Sequence, residues 1–98
     1  MNGPIAVRRL VWDQRNVAHI AGHKVAPEEV EEVCLGRFIA REGYGQRLIL
    51  VGPTEAGRVL AIVLASEEEE GVYYPVTAYP ASRKMRRVYQ DETREKPR

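Results

Sequence analysis

The sequence holds a single cysteine, Cys34, which rules out an intrachain disulfide and leaves nothing in its thiol content that points to export. It has no long hydrophobic run. The longest, Val59 to Ala65, is far short of the roughly 20 residues a membrane helix needs. Residues Met1 to Arg9 lack the apolar stretch of a signal peptide, so the cytoplasm is the expected compartment, with no membrane partner. Histidine is scarce: His19 and His23 are the only two, which with one cysteine leaves little material for a structural zinc site. No metal and no cofactor is therefore expected. Charge of either sign is nearly balanced at +1, so the molecule as a whole is no polycation. The length, 98 residues, leaves room for one domain over the whole of 1–98. A domain of that size hides only about 60–65% of its unfolded surface, so any site should be a shallow groove.

What the balance conceals is segregation. Glu28, Glu29, Glu31 and Glu32 form one acidic group and Glu67 to Glu70 a second, while Arg83, Lys84, Arg86 and Arg87 stand together without an acid among them. A local basic patch attracts phosphate even at zero net charge, because the Debye length is only about 8 Å at physiological salt.

The hydrophobic pattern predicts an α+β chain. Ile5 to Trp12 reads as a strand. Asp13 suits an N-cap, with Trp12 placed to staple onto Val17, and Val17, Ile20 and Ala21 recur at helical spacing until Gly22. Pro27 followed by Glu28 and Glu29 starts a second helix with the stripe Val30, Val33 and Cys34, stopped by Gly36. Strands are expected at Arg37–Arg41, Arg47–Val51, Arg58–Ala65 and Val72–Tyr79, with Pro75 marking an edge or a bulge in the last. Ser82 caps a final helix with the stripe Met85, Val88 and Tyr89. Residues 1–4 read as a loose start and 92–98 as a frayed tail. Short turns between consecutive strands argue for an antiparallel sheet of four to five strands, with two N-terminal helices and one C-terminal helix packed on one side of it.

Several pieces then occur in a characteristic order. Trp12-Asp13 leads to Asn16, His19, Ile20 and His23; Val25-Ala26-Pro27-Glu28-Glu29-Val30 follows. Gly52 to Leu60, Val76-Thr77-Ala78, and Ala81-Ser82-Arg83-Lys84 with Arg87 and Tyr89 complete the set. Over roughly residues 7 to 90 this resembles the BrnT family of bacterial toxins. The resemblance implies a RelE-related fold, metal-independent RNA cleavage, neutralisation by a cognate antitoxin protein, and often a homodimer. Three positions depart from the family pattern: Tyr79 stands where the family has arginine, Met85 where it often has glutamate, and Gly22-His23-Lys24 where Lys-His-Gly is common.

RNA cleavage without metal needs a base for the 2′-hydroxyl, cations for the phosphorane and an acid for the leaving oxygen. Histidine is the residue whose charge changes near neutral pH. His19 and His23 share a helix face if the first helix reaches that far, and with Arg58 and Arg83 they form the candidate catalytic set. Lys84, Arg86, Arg87 and Tyr79 are the candidate RNA- and phosphate-binding residues. The plainer alternative stays open for each: the histidines can cap or pack the helix end, and a basic helix face can simply be solvated. A catalytically inactive domain that binds a partner or nucleic acid is the second functional reading. Trp12 reads as core, Cys34 as inert, Gly52 to Gly57 as a turn rather than a phosphate loop, and the sheet tyrosines as packing residues first.

Overall fold

A computed structural model describes residues 5–94. The expected loose start at 1–4 and the last part of the expected tail, 95–98, lie outside the described residues. The elements run β1 (Arg9–Leu10), α1 (Gln14–Ala21), α2 (Pro27–Leu35), β2 (Ile39–Glu42), a short 3₁₀ turn, β3 (Leu48–Pro53), β4 (Val59–Ser66), β5 (Val72–Pro80) and α3 (Arg83–Thr93). This is the α+β arrangement of the sequence reading, with α3 continuing two residues into the expected tail. Among the described residues no helix is long and apolar enough to cross a membrane.

The sheet order is β1-β5-β4-β3-β2. The chain from β2 to β5 is an antiparallel meander, as its short turns require. The sheet as a whole is mixed, which corrects the antiparallel expectation: β1 pairs with β5 in parallel, Arg9 opposite Val72 and Leu10 opposite Tyr73. Turn length constrains only neighbours joined by a turn. β1 is followed by two helices and reaches β5 from the far end of the sequence, so nothing local fixes its direction. Its strand is also only two residues long where Ile5 to Trp12 was expected. In β5 the ladder shifts between Thr77 and Pro75, so Pro75 marks the bulge that a residue without an N–H favours.

The sheet carries helices on both faces, which corrects the expectation of one: successive residues of β4 are apolar, so each face has a surface to cover. On one, α1 and α2 bury Ile20, Val30, Val33 and Cys34 against Leu50, Leu60, Ile62, Leu64 and Ala78. On the other, α3 covers a smaller cluster of Val51, Ala61 and Ala81, with Ile39, Ile49, Tyr79, Met85 and Tyr89 packed around it. No residue of α3 is fully buried. Tyr89 tethers the helix by donating its hydroxyl to the Arg37 carbonyl at 2.7 Å.

Helix α1 is fixed at both ends by its own sequence. Asp13 and Asn16 cap it reciprocally, each side chain accepting from the other's backbone N–H at 2.9 Å. The Asn16 amide also donates to the carbonyls of Val11 and of Pro75 at the β5 bulge, so a fully buried polar side chain joins the helix start to the sheet. At the other end Val25 N–H bonds the Ile20 carbonyl and Lys24 N–H bonds that of Ala21. That is the Schellman pattern, with the left-handed position taken by Lys24 at φ 63° and the buried pair Ile20 and Val25 closing it. Trp12 packs on the main core and donates its indole N–H to Glu31 of α2 at 2.9 Å, while Val17 stays 36% exposed.

Candidate functional site

The helix cap decides where the histidines stand. Because the backbone keeps its helical turn through His23 before Lys24 reverses it, His19 and His23 lie one turn apart on one face. Both are exposed, and their ring centres are 5.3 Å apart at 68°. His23 in turn lies 6.1 Å from the ring of Tyr79 on β5. β1 covers β5 only beside Val72 and Tyr73, so at the Tyr79 end β5 has an open edge, and the C-terminal end of α1 reaches it there. Tyr79 and Met85 pack against the same trio, Val51, Ala61 and Ala81. His23 therefore meets a side chain of the α3 cluster, at the end of the sheet from which α3 departs, and His19 stands beside His23.

That departure is orderly. Ala81 N–H bonds the Val59 carbonyl at 2.9 Å, and Ser82 caps α3 by accepting from the Met85 N–H at 3.1 Å. Met85 turns its side chain into packing. Arg83, Lys84, Arg86 and Arg87 are all exposed, and none has an acidic partner among the described residues. Arg83 and Lys84 also occupy the first turn of the helix, where the positive end of the dipole repels a cation. Their position opposes helix stability.

Arg58 has a different setting. It precedes Val59, so its backbone belongs to the same sheet end, but its guanidinium donates through one nitrogen to both oxygens of Glu29 at 3.0 and 3.1 Å. Both side chains are about one-third exposed or less. Glu29 also accepts from the Ala26 N–H that opens α2. That bond, followed by the arginine, holds its carboxyl below the usual range despite partial burial. Of the residues singled out in the sequence, His19, His23 and Tyr79 come together, the four basic residues follow on α3, and Arg58 is engaged by α2.

Two further clusters escaped the sequence reading. Asp13 accepts from the Tyr74 hydroxyl at 3.1 Å on both oxygens, and the Asn16 backbone N–H followed by that hydroxyl lowers its pKa. Glu32 accepts from the backbone N–H of Glu55, pinning α2 to the β3–β4 turn. Nothing local announced either: Asp13 was readable as a cap, but Tyr74 lies 61 residues from it, and Glu55 lies 23 residues from Glu32. Cys34 is buried, and burial followed by the nearby Glu31 charge pushes its thiol up to about 12, as an inert core residue requires. Among the described residues no group of three or more potential ligands could hold a metal ion.

Comparisons with known protein families, with curated proteins and with solved structures returned no match.

Proposed function

We propose that this chain is an RNA-directed toxin of the BrnT type, acting as a metal-independent endoribonuclease in the cytoplasm and held in check by a protein antitoxin. The observation that carries the reading is the His19–His23–Tyr79 cluster at the origin of the basic helix. Two imidazoles within reach of one scissile phosphate can divide the base and acid roles of 2′-oxygen attack. Arg83, Lys84, Arg86 and Arg87 supply phosphate contacts that align the strand without choosing its sequence. Tyr79 offers a ring beside His23 on which a base can stack.

A non-catalytic reading has its own support. Arg58 is partly neutralised by Glu29, and Met85 is committed to packing, so two positions of the resemblance bring no free chemistry. On that reading the same surface binds RNA or the antitoxin and cleaves nothing.

The test is incubation of the purified chain with single-stranded and structured RNA in EDTA. Cleavage that falls at least about 100-fold in His19→Ala/His23→Ala, with RNA affinity retained, supports the enzyme, since acid–base groups contribute on the order of 10²–10⁴. Salt-dependent binding without cleavage selects the inactive module. Absence of both removes RNA from the account.

A further inference from the structure

The two imidazoles have a second chemical property, independent of RNA. We infer that His19 and His23 form a two-point chelate for a borderline divalent transition metal such as Zn²⁺, with water completing the shell. Histidines one helical turn apart are the spacing by which a helix presents two zinc ligands on one face. The separation fits as well as the spacing. A zinc–nitrogen bond of about 2.1 Å, with the ring centre about 1.2 Å beyond, places two tetrahedrally disposed ring centres roughly 5 Å apart. The observed separation is 5.3 Å.

The backbone that carries the ligands is already ordered. His19 lies inside α1, and His23 is held by its own N–H to the Ile20 carbonyl and by the cap that follows, closed on the buried Ile20 and Val25. Only side-chain rotation remains to be paid on binding. Both rings are exposed, so an ion can enter without displacing packed side chains. No further His, Cys, Asp or Glu completes a set of three among the described residues. The site is thus an open, modest-affinity chelate rather than a closed structural centre. Imidazole selects Zn²⁺, Ni²⁺ or Cu²⁺ over the hard cations Mg²⁺ and Ca²⁺. An ion bound here takes the ring lone pairs that proton transfer would use, so zinc would inhibit cleavage; that consequence alone rests on the proposed function.

The full chain would be titrated with ZnCl₂ by calorimetry, with MgCl₂ as the hard-cation control, while the ring C–H resonances of both histidines are followed by NMR. One zinc per chain is expected, both histidines responding together, with affinity at least tenfold lower in His19→Gln and in His23→Gln and no heat from magnesium. Thermal unfolding of these variants should match the parent, since both side chains are exposed. Equal zinc affinity in parent and variants, a response from one histidine only, or no zinc binding overturns the chelate. The same zinc range applied to an RNA cleavage assay separates the two ideas. Zinc bound by the pair in a chain that cleaves no RNA leaves the chelate standing and removes the nuclease.

Discussion

Helix α2 opens with Pro27-Glu28-Glu29 and helix α3 with Arg83-Lys84, so the same helical position carries opposite charge in the two. In α2 the acids suit the dipole, and three of the four acids in the helix have further work: Glu29 takes Arg58 and the Ala26 N–H, Glu31 the Trp12 indole, Glu32 the Glu55 N–H. In α3 the bases oppose the dipole and have no acidic partner among the described residues. One run of charge stabilises the fold, and the other costs it. A local conflict of this kind at an exposed surface is where a binding role is best tested.

The sharpest way to break this contrast is charge reversal at the start of α3. In Arg83→Glu/Lys84→Glu the RNA affinity should fall by at least about 100-fold, and the dependence of log affinity on log salt should flatten by about one for each lost phosphate contact. The thermal midpoint should hold or rise, since acids in a first turn gain about 0.3–1 kcal/mol each. Filter binding over a salt series and thermal unfolding read the two effects separately. A fall in both affinity and stability would return α3 to the status of a structural helix.

How much of this was legible beforehand depends on whether the physical cause is local. Helix starts were readable because their causes are local: Asp13 and Ser82 accept from the amide three residues on, and Pro27 has its φ preset for a first helical position. The meander from β2 to β5 followed from short turns. The direction of β1 did not, because its partner lies 63 residues away in sequence and no turn joins them. At the candidate site, the shared face of His19 and His23 was a matter of helical spacing, but whether the helix reached His23 depended on the cap. A glycine at position 24 would have announced that cap; Lys24 adopts the left-handed conformation instead, and glycine stands two residues earlier at a position with ordinary helical angles. The pairing of Arg58 with Glu29 was beyond reach for the reason that β1 was: it spans 29 residues between elements that only the folded sheet brings together.

Burial offers a second, smaller way to sharpen the contrast. α2 buries Val30 and Val33 completely, whereas Met85 on α3 is only partly covered. Val30→Ala should cost about 2 kcal/mol in urea unfolding, through lost transfer energy and an unfilled cavity. Met85→Ala should cost about half as much, because solvent already reaches the site and no sealed cavity forms. Equal costs would mean that α3 is as much a part of the cooperative core as α2.

The smallest effect lies within α2 itself, where Glu28 and Glu29 are adjacent but differently employed. Glu29→Gln weakens both the Ala26 cap and the Arg58 pair and should lower stability at pH 7 by about 1 kcal/mol, or roughly 4–8 °C in midpoint for a domain of this size. Glu28 has no side-chain partner among the described residues, and Glu28→Gln should shift stability by no more than about 0.5 kcal/mol, its share of the dipole. The pH dependence separates them further. The Glu29 carboxyl is held below its unfolded value, chiefly by the Ala26 N–H and then by Arg58, so its contribution is complete above the unfolded carboxylate range near about 4.3. That contribution fades as pH falls through the lower folded value. The gap between parent and Glu29→Gln should therefore stay constant from pH 7 to about 5 and close below about 4. A gap that persists undiminished well below that range would show that the glutamate acts through packing rather than charge, and the distinction between a structural acidic run and an unpartnered basic one would lose its electrostatic basis.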